Sequence, residues 1–191
     1  MLTHIGTRPI ETSRLLLRRF TQEDAPSVWT NWAGDETVQS WYGEPVYATL
    51  EDTQGLLAKY IAAYDESEAC YRWGIIEKVS GECIGQTAYF LVDSKNHFGE
   101  IEYCIGQAFQ RKGYCAEAVR AIMAYGFERV RFHKLQVCHV PANEASRGVI
   151  RKCGFTYEGT LRDYFHADGG YCDRLYYSML EREWKNDRGI Q

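Results

Sequence analysis

One short stretch, residues 110–116, most constrains what this chain can fold into. A strand-like run at residues 100–105 precedes it, and apolar residues at helical spacing follow it through residues 119–130. The stretch therefore predicts a loop that joins a strand to the N-terminus of a helix. The first N–H groups of a helix have no partner within it, and the helix dipole adds positive charge there. Such a loop is suited to binding a phosphate or a diphosphate.

The glycine pattern of this loop differs from those of two well-known phosphate-binding turns. A P-loop needs two glycines five residues apart and then Lys and Ser or Thr, and a dinucleotide-binding turn needs Gly-x-Gly-x-x-Gly. Here Gly113 is the sole glycine, and Arg111 and Lys112 place positive charge beside it. On this stretch alone, an ordinary strand–loop–helix junction with an incidental glycine remains the alternative.

The composition predicts a single globular domain over residues 1–191, with a frayed polar tail at about residues 182–191. A formal net charge of −4 argues against nucleic acid as a partner. No apolar run approaches the roughly 20 residues of a membrane span, and no secretory signal is visible. The seven cysteines lack Cys-x-x-Cys spacing and the five histidines lack metal-ligand spacing. We therefore expect a cytoplasmic protein without a metal or a membrane partner, either a monomer or a homodimer.

The periodicity of the rest of the chain predicts alternating strands and helices. Strands are predicted at residues 14–20, 71–78, 83–92, 100–105, 135–139 and 172–180. Further helices are predicted at residues 21–32, 49–64 and 143–152, with Thr21, Thr49 and Asn143 as candidate N-caps and Gly154 as a C-cap. Residues 35–47 and 164–171 are predicted to be loops. The aromatic residues of 35–47 would either line a binding cleft or pack against the core. The strand–helix–strand order around residues 110–116 predicts a parallel pair with a right-handed crossover.

The loop motif resembles the first cofactor-binding motif of the GNAT N-acetyltransferases, whose pattern is Gln/Arg-x-x-Gly-x-Gly/Ala. Gln110, Gly113 and Cys115 occupy its three fixed places. Cysteine departs from the usual glycine or alanine there, but it is small enough to let a phosphate approach the backbone.

A second motif resembles the RimJ/RimL-like branch of that family. Its pattern, Asn-x-x-Ser followed by Lys-x-Gly-Phe, matches Asn143, Ser146 and residues 152–155. Residues 14–18 and 170–173 also resemble segments of this branch. Together the four segments cover nearly the whole chain in the expected order, which makes the joint resemblance far more specific than any one of them.

The resemblance implies an α/β (α+β) fold of the GNAT type. Its centre would be a mixed, mostly antiparallel twisted sheet with helices on both faces. One pair of parallel strands would splay apart to admit the pantetheine arm of acetyl-CoA. It also implies an enzyme that moves an acetyl group from acetyl-CoA to a primary amine by direct attack in a ternary complex.

The resemblance further implies which residues would bind acetyl-CoA, the co-substrate. Backbone N–H groups of the loop would bind the diphosphate, at Arg111, Lys112, Gly113, Tyr114, Cys115 and Ala116. Side chains of Gln110 and Lys112 would assist them. Asn143 would cap its helix and bind the pantetheine arm, with capping alone as the alternative. The amide of Ile105 would face the thioester carbonyl, where one such donor contributes about 3–4 kcal/mol; the alternative for Ile105 is core packing.

Two glutamates are candidates for the base that deprotonates the acceptor amine. Glu100 and Glu102 alternate onto one face of the strand that leads to the cofactor. Glu100 matches a glutamate common in the RimJ/RimL-like branch, whereas Glu102 stands where that branch more often has a small residue. The alternative for each is a salt bridge or simple attraction of a cationic substrate.

Ser146 is the candidate hydrogen-bond donor to the leaving thiolate. Many GNAT enzymes use a tyrosine later in the same helix, but that place is taken here by Ile150, which cannot donate. The alternative for Ser146 is a purely structural role, as a serine in the first turn of a helix. Cys115 is not needed as a nucleophile in direct transfer, although a thiol near coenzyme A is able to form mixed disulfides.

The acceptor remains open at this level. A protein N-terminal α-amine is the leading expectation. Small amines such as polyamines, aminoglycosides or peptide antibiotics are the first alternative, and a non-catalytic acyl-CoA sensor is the second. An open groove would favour a protein acceptor, and an enclosed acidic pocket would favour a small amine.

Overall fold

The centre of the computed structural model, which describes residues 1–42, 45–167 and 170–187, is an eight-stranded sheet. Its strands are β1 (Ile10–Glu11), β2 (Leu15–Arg18), β3 (Tyr71–Glu77), β4 (Cys83–Asp93), β5 (Phe98–Ile105), β6 (Lys134–His139), β7 (Thr156–Ala167) and β8 (Gly170–Leu180). They lie in the order β1-β2-β3-β4-β5-β6-β8-β7. Within these described strands, β5 and β6 form the one parallel pair. The predicted mixed, mostly antiparallel sheet is therefore confirmed.

Helices cover both faces of this sheet. They are α1 (Ala25–Val28), α2 (Glu36–Tyr42), α3 (Leu50–Glu66), α4 (Tyr114–Tyr125), α5 (Glu144–Lys152) and α6 (Glu181–Asp187). A 3₁₀ turn (Gln22–Asp24) and a π turn (Trp29–Ala33) flank α1, and a second π turn (Gly126–Val130) extends α4. Side chains from α1–α3 form one apolar cluster, and those from α4–α6 join a second, larger one. The sheet thus lies between two cores.

The predicted helix caps are present. Asp24 Oδ2 accepts from the backbone N–H of Thr21 at 2.8 Å. The backbone N–H of Asp52 donates to Thr49 Oγ1 at 3.1 Å, and Asp52 Oδ2 accepts from the backbone N–H of Thr49 at 3.0 Å. Gly154 follows α5 with φ +81°, a left-handed conformation that glycine adopts at low cost.

The prediction of a loop over residues 35–47 is wrong in its first half, where α2 forms. Asp35 Oδ1 accepts from the backbone N–H groups of Thr37 and Val38, at 2.9 and 3.2 Å, and so caps this helix. Val38 and Gln39 then face the core. Gly43 and Glu44, which the prediction included, lie outside the described residues.

The C-terminal part is more regular than predicted. The hairpin of β7 and β8 occupies most of the region taken as a loop at residues 164–171, although Asp168 and Gly169 lie outside the described residues. The frayed tail is wrong for residues 182–187, which belong to α6. Trp184 anchors this helix because its ring, 8% exposed, stacks on Phe127 with centroids 5.6 Å apart. Residues 188–191 lie outside the description.

All seven cysteines are free thiols. Cys83, Cys104 and Cys153 are buried, as expected for cysteines that serve as small apolar side chains. Over the described ranges, no helix combines the length and the apolar character needed to cross a membrane.

Candidate active site

The parallel strands β5 and β6 separate towards their carboxyl ends. Their pairing runs from Phe98↔Lys134 to Ile101↔Val137 and stops there, although β5 continues to Ile105 and β6 to His139. On its other edge, β5 stays paired with β4 as far as Ile105. A gap therefore opens between β5 and β6 where ligands bind in such sheets, as the splayed pair was predicted to do.

The loop of residues 110–113 leads from this gap to the N-terminus of α4. Gly113 is the N-cap residue with φ +84°, and Arg111 also has a positive φ of 61°. The backbone bond from Glu117 N–H to the Gly113 carbonyl, at 3.1 Å, begins the helical pattern. The N–H groups that precede Glu117 in α4 thus lie in the unpaired first turn. Arg111 and Lys112 are exposed beside them, so this end of α4 is positively charged.

An arginine next to β2 braces this loop. Arg14 Nη1 donates to the Lys112 carbonyl at 2.9 Å, and Arg14 Nη2 lies 2.6 Å from Glu117 Oε2. The Arg14 guanidinium also lies over the Tyr114 ring, 4.5 Å from its centroid. The Tyr114 hydroxyl in turn donates to Glu77. Arg14 belongs to the segment 14–18 that resembles the RimJ/RimL-like branch, but its contact with the loop was not predicted from the sequence.

Glu117 holds the other end of this brace. Its Oε1 accepts from Thr12 Oγ1 at 2.6 Å, from Ser13 Oγ at 3.1 Å and from the backbone N–H of Arg14 at 3.0 Å. Burial by itself would raise the pKa of this carboxyl. The hydrogen bonds from Thr12 and Arg14 outweigh burial and lower the pKa below its ordinary value of 4.5. Glu117 therefore stays ionised and keeps the loop attached to the start of β2.

The end of β5 is attached to the same loop. Gln110 Nε2 donates to the Ile105 carbonyl at 2.9 Å, so the Gln110 side chain is committed to the strand. The backbone N–H of Gly106 donates to the Ile84 carbonyl on β4 at 2.9 Å. Because successive N–H groups of a strand point to opposite edges, the N–H of Ile105 is directed to the β6 side, where the gap lies. The Ile105 side chain is buried in the core.

Cys115, in the first turn of α4, is half-buried against the core. Burial raises the pKa of its thiol well above the ordinary value, and the neighbouring Cys153 adds to this effect. Cys115 therefore stays a neutral thiol at physiological pH, which makes it a poor nucleophile.

Asn143 and Ser146 lie at the start of α5, as predicted. Asn143 Oδ1 accepts from the backbone N–H of Ser146 at 2.9 Å, so its side-chain oxygen serves as a helix cap. The Ser146 hydroxyl lies 2.8 Å from the hydroxyl of Tyr103 on β5. Tyr103 was not among the residues predicted from the sequence. Its alternation with Ile101 and Ile105 places it on the face towards α4 and α5, but that pattern alone indicated only core packing.

Glu100 and Glu102 project from the opposite face of β5 into different surroundings. Glu100 is 3% exposed; its Oε2 accepts from Gln136 Nε2 at 2.6 Å, and its Oε1 accepts from Cys138 Sγ at 3.3 Å. Both donors belong to β6, so this carboxylate bridges the parallel strands next to the gap. Glu102 instead pairs with Arg72 Nη2 at 2.8 Å.

A cavity of about 420 Å³ opens beside Glu100. Its lining comes from β4–β8: Leu91, Glu100, Gln136, Glu158, Gly159, Thr160, Leu161, Tyr164 and Tyr176. Leu161 and Tyr164 are 45% and 52% exposed and form part of its rim. Glu102 does not line it.

The family model of the acetyltransferase (GNAT) domain matches residues 14–156. The chain belongs to the GNAT family. A GNAT relative, the uncharacterized N-acetyltransferase YoaA of Bacillus subtilis, is 30% identical over 90% of this chain and 96% of its own length. The spermidine N(1)-acetyltransferase of Escherichia coli is 25% identical over 88% of this chain and 87% of its own.

Solved GNAT structures have the same architecture. An acetyltransferase from Bacillus anthracis superposes with a TM-score of 0.80 at 26% identity and covers 92% of this chain and 100% of its own. RimL, a ribosomal L7/L12 α-N-protein acetyltransferase solved in complex with coenzyme A, also has a TM-score of 0.80, at 21% identity, covering 91% and 98%. The chain is thus a GNAT-fold N-acetyltransferase, and the GNAT family uses acetyl-CoA.

The geometry divides the residues singled out by the GNAT resemblance into three groups. The loop and the Ile105 backbone surround one end of the gap. Asn143 and Ser146 lie at the start of α5, within reach of β5. Glu100 lies by the gap on the opposite face of the sheet, whereas Glu102 is held away from the cavity by its partner Arg72.

Proposed function

We propose that this protein transfers an acetyl group from acetyl-CoA to a primary amine, and that the preferred acceptor is the α-amine of a protein N-terminus. The observation that carries this proposal is the gap between β5 and β6 next to the unpaired first turn of α4. The gap would hold the acyl end of acetyl-CoA, and the first turn of α4 would hold its diphosphate.

The residues present fit coenzyme A. The left-handed Gly113 brings the chain into the N-terminus of α4 without a side chain, and the exposed Arg111 and Lys112 carry charge opposite to that of a diphosphate. Backbone N–H groups at Arg111, Gly113, Tyr114, Cys115 and Ala116 would bind it. Gln110 would position the loop, because its side chain is already bonded to the Ile105 carbonyl.

When bound, acetyl-CoA supplies an activated acetyl thioester. The N–H of Ile105, directed into the gap, would donate to the carbonyl oxygen and stabilise the negative charge that develops there. Ser146 would donate from its hydroxyl to the sulfur as the bond to the acetyl carbon breaks. Asn143 would orient Ser146 through the helix cap and bind the pantetheine arm nearby.

Glu100 is the favoured base for the acceptor amine. Its carboxylate lines the cavity next to the point where β5 and β6 part, so it would take a proton from an ammonium group that enters there. Glu102 is the weaker candidate. Its carboxylate is paired with Arg72, and a proton placed on Glu102 would weaken that ion pair.

The cavity supports a peptide acceptor because its rim is open and partly apolar. Leu91, Leu161 and Tyr164 are each more than two-fifths exposed and would contact the first side chains of an extended N-terminus. An α-amine, with an ordinary pKa of about 7.7–8.0, also needs less help from a base than a lysine-type amine at about 10.4. A polyamine is the second candidate, favoured by the additional carboxylate of Glu158 in the same lining.

The decisive experiment measures coenzyme A release from acetyl-CoA with a panel of acceptors. The panel contains peptides with a free N-terminus, the same peptides with a blocked N-terminus, polyamines and aminoglycosides, and mass spectrometry locates the acetyl group. Release only with unblocked peptides supports the proposed acceptor. Release of coenzyme A with polyamines alone would overturn the peptide acceptor and identify a small amine as the acceptor. Binding of acetyl-CoA without release in any mixture contradicts acetyl transfer to an amine.

A further inference from the structure

Tyr103 and Ser146 link the two sides of the gap through their hydroxyl groups. Tyr103 lies on β5, two residues after the last pair with β6, and Ser146 lies in the first turn of α5. Their oxygens are 2.8 Å apart, and the Tyr103 hydroxyl is also 3.3 Å from the Ser146 carbonyl oxygen. The two residues are 43 positions apart in sequence, so this contact exists only in the assembled fold.

Either hydroxyl is able to donate in this hydrogen bond, and the proposed role requires that Tyr103 be the donor. Burial raises the pKa of its phenol well above the ordinary value, so the hydroxyl keeps its proton and is available as a donor. A serine hydroxyl has one proton to donate and two lone pairs to accept with. If Tyr103 donates to Ser146 Oγ, the serine proton is left free for another acceptor.

We propose that Tyr103 is a positioning residue that orients the Ser146 hydroxyl towards the sulfur of coenzyme A. This role rests on the proposed function. Ile150 on α5 is buried and has no hydroxyl to donate. Tyr103 on β5 would supply a hydroxyl in its place. The tyrosine would act through Ser146 and would not itself touch the sulfur.

The chemical step assigns each bond and proton. The amine nitrogen bonds to the acetyl carbon, the carbon–sulfur bond breaks, and its electron pair stays on the sulfur. The amine proton goes to the base. Ser146 donates a hydrogen bond to the new thiolate, and Tyr103 donates to Ser146, so each bond polarises the next. Neither hydroxyl loses its proton, because a thiol, with an ordinary pKa of about 8.5, is a stronger acid than a serine hydroxyl and than the Tyr103 phenol, whose pKa is raised by burial. The thiolate is finally protonated by water.

The test uses coenzyme A itself and does not depend on the acceptor. The thiolate of bound coenzyme A is titrated by its ultraviolet absorbance in the wild type, Tyr103→Phe, Ser146→Ala and the double variant. A hydrogen bond to the thiolate lowers its pKa. We expect the bound thiol to titrate about one pH unit higher in each single variant, and the double variant to match Ser146→Ala. Calorimetric affinity for acetyl-CoA should stay within about twofold of wild type.

Kinetics provide a second readout with the best acceptor. The kcat should fall about tenfold in each single variant with KM for acetyl-CoA unchanged, and no further in the double variant. If Tyr103→Phe fails to fold, 3-fluorotyrosine at position 103 keeps the ring and makes its hydroxyl a stronger hydrogen-bond donor, so the thiol of bound coenzyme A should titrate at a lower pH than in the wild type. A thiol that titrates at the same pH or higher with this residue overturns the role of Tyr103.

Two further outcomes separate this inference from the function on which it rests. Suppose that the wild type binds coenzyme A and releases it in the reaction, but the effects of the two single variants add in the double variant. That result overturns the role of Tyr103 and leaves the proposed function intact. A wild type that does not bind coenzyme A overturns the proposed function and this role together.

Discussion

Glu100 Oε2 accepts a hydrogen bond of 2.6 Å from Gln136 Nε2, across the parallel strands and one residue before their pairing ends. This contact holds a carboxylate at the wall of the cavity, on the side of the sheet opposite to Ser146 and Tyr103. The proposed base and the proposed donor to sulfur therefore approach the gap from different faces. A substrate amine entering from the Glu100 side would meet the acyl group at the gap itself.

Glu100→Gln should lower kcat by roughly 100-fold or more, because the amide cannot take a proton. KM for acetyl-CoA should change little, since Glu100 lies away from the loop at α4. Steady-state kinetics at pH 7 to 9 measure both constants. The loss should be larger for a lysine-type amine than for an α-amine, because the former depends more on a base.

Glu102→Gln is the matched control for this prediction. It removes the same charge from the same strand face, but at a side chain paired with Arg72 outside the cavity lining. Its kcat should stay within about threefold of wild type, with thermal unfolding used to detect any cost of the lost ion pair. A large fall in kcat for Glu102→Gln, together with a small fall for Glu100→Gln, would identify Glu102 and not Glu100 as the base.

Gly113→Ala should weaken coenzyme A binding about tenfold. A residue with a Cβ costs roughly 1–2 kcal/mol in the left-handed region, so the loop would shift away from φ +84° and misplace its N–H groups. Isothermal titration calorimetry with coenzyme A measures the effect. Gly81→Ala serves as the control, because Gly81 has φ +75° in the turn between β3 and β4, outside residues 110–116, and a Cβ added there would meet nothing within 4 Å. Equal affinities in the two variants would refute the assignment.

Glu117→Gln should cost about 1–3 kcal/mol at neutral pH, because it breaks charged hydrogen bonds to Arg14 and Thr12. The folded pKa of Glu117 lies below the ordinary 4.5, so its ionisation stabilises the fold above that pH. This stabilisation is lost as the pH falls through the folded pKa. Urea unfolding from pH 7 to pH 3 should therefore show a shallower acid decline in the variant.

The control for Glu117 is Glu144→Gln, which removes an exposed ion pair with Arg147. Exposed pairs contribute about 0–1 kcal/mol, so its unfolding profile should follow that of wild type. Identical acid profiles for Glu117→Gln and wild type would show that the brace does not hold the carboxylate ionised.

Trp184→Ala should destabilise the protein by about 3–5 kcal/mol, because it removes a buried ring that stacks on Phe127. Thermal and urea unfolding measure the loss. Trp41→Ala is the comparison, since the Trp41 side chain is 48% exposed and its removal should cost under about 0.5 kcal/mol. Similar losses in both variants would mean that α6 contributes no specific packing.

The central strands, α3, α4 and α5 could be predicted from the sequence because their signals are local. Alternating apolar residues mark β5, and Thr49 with Asp52 caps α3 within four residues. The α6 helix could not be predicted in this way. Its sequence is polar except for Trp184, and what orders it is a partner ring on Phe127, far earlier in the chain.

The candidate site shows the same limit. The loop of residues 110–116 and the pair Asn143 and Ser146 were found because their spacing is a motif. The different surroundings of Glu100 and Glu102 could not be found from the sequence. Alternation places both residues on one face of β5, but it cannot show that Arg72 lies beside only one of them. The contact of Tyr103 with Ser146 likewise needs the separation of β5 from β6, which is a property of the assembled sheet.

The link from Arg14 to Glu117 joins positions 103 residues apart. Closing so long a segment costs chain entropy before any contact is gained, so this link is expected to form late in folding. The loop of residues 110–113 would then reach its final conformation only after the intervening strands have formed. Before the Arg14–Glu117 link forms, residues 110–113 would lack the conformation that binds coenzyme A. A ligand that binds only the folded loop would therefore stabilise the contact between the two ends of this long segment.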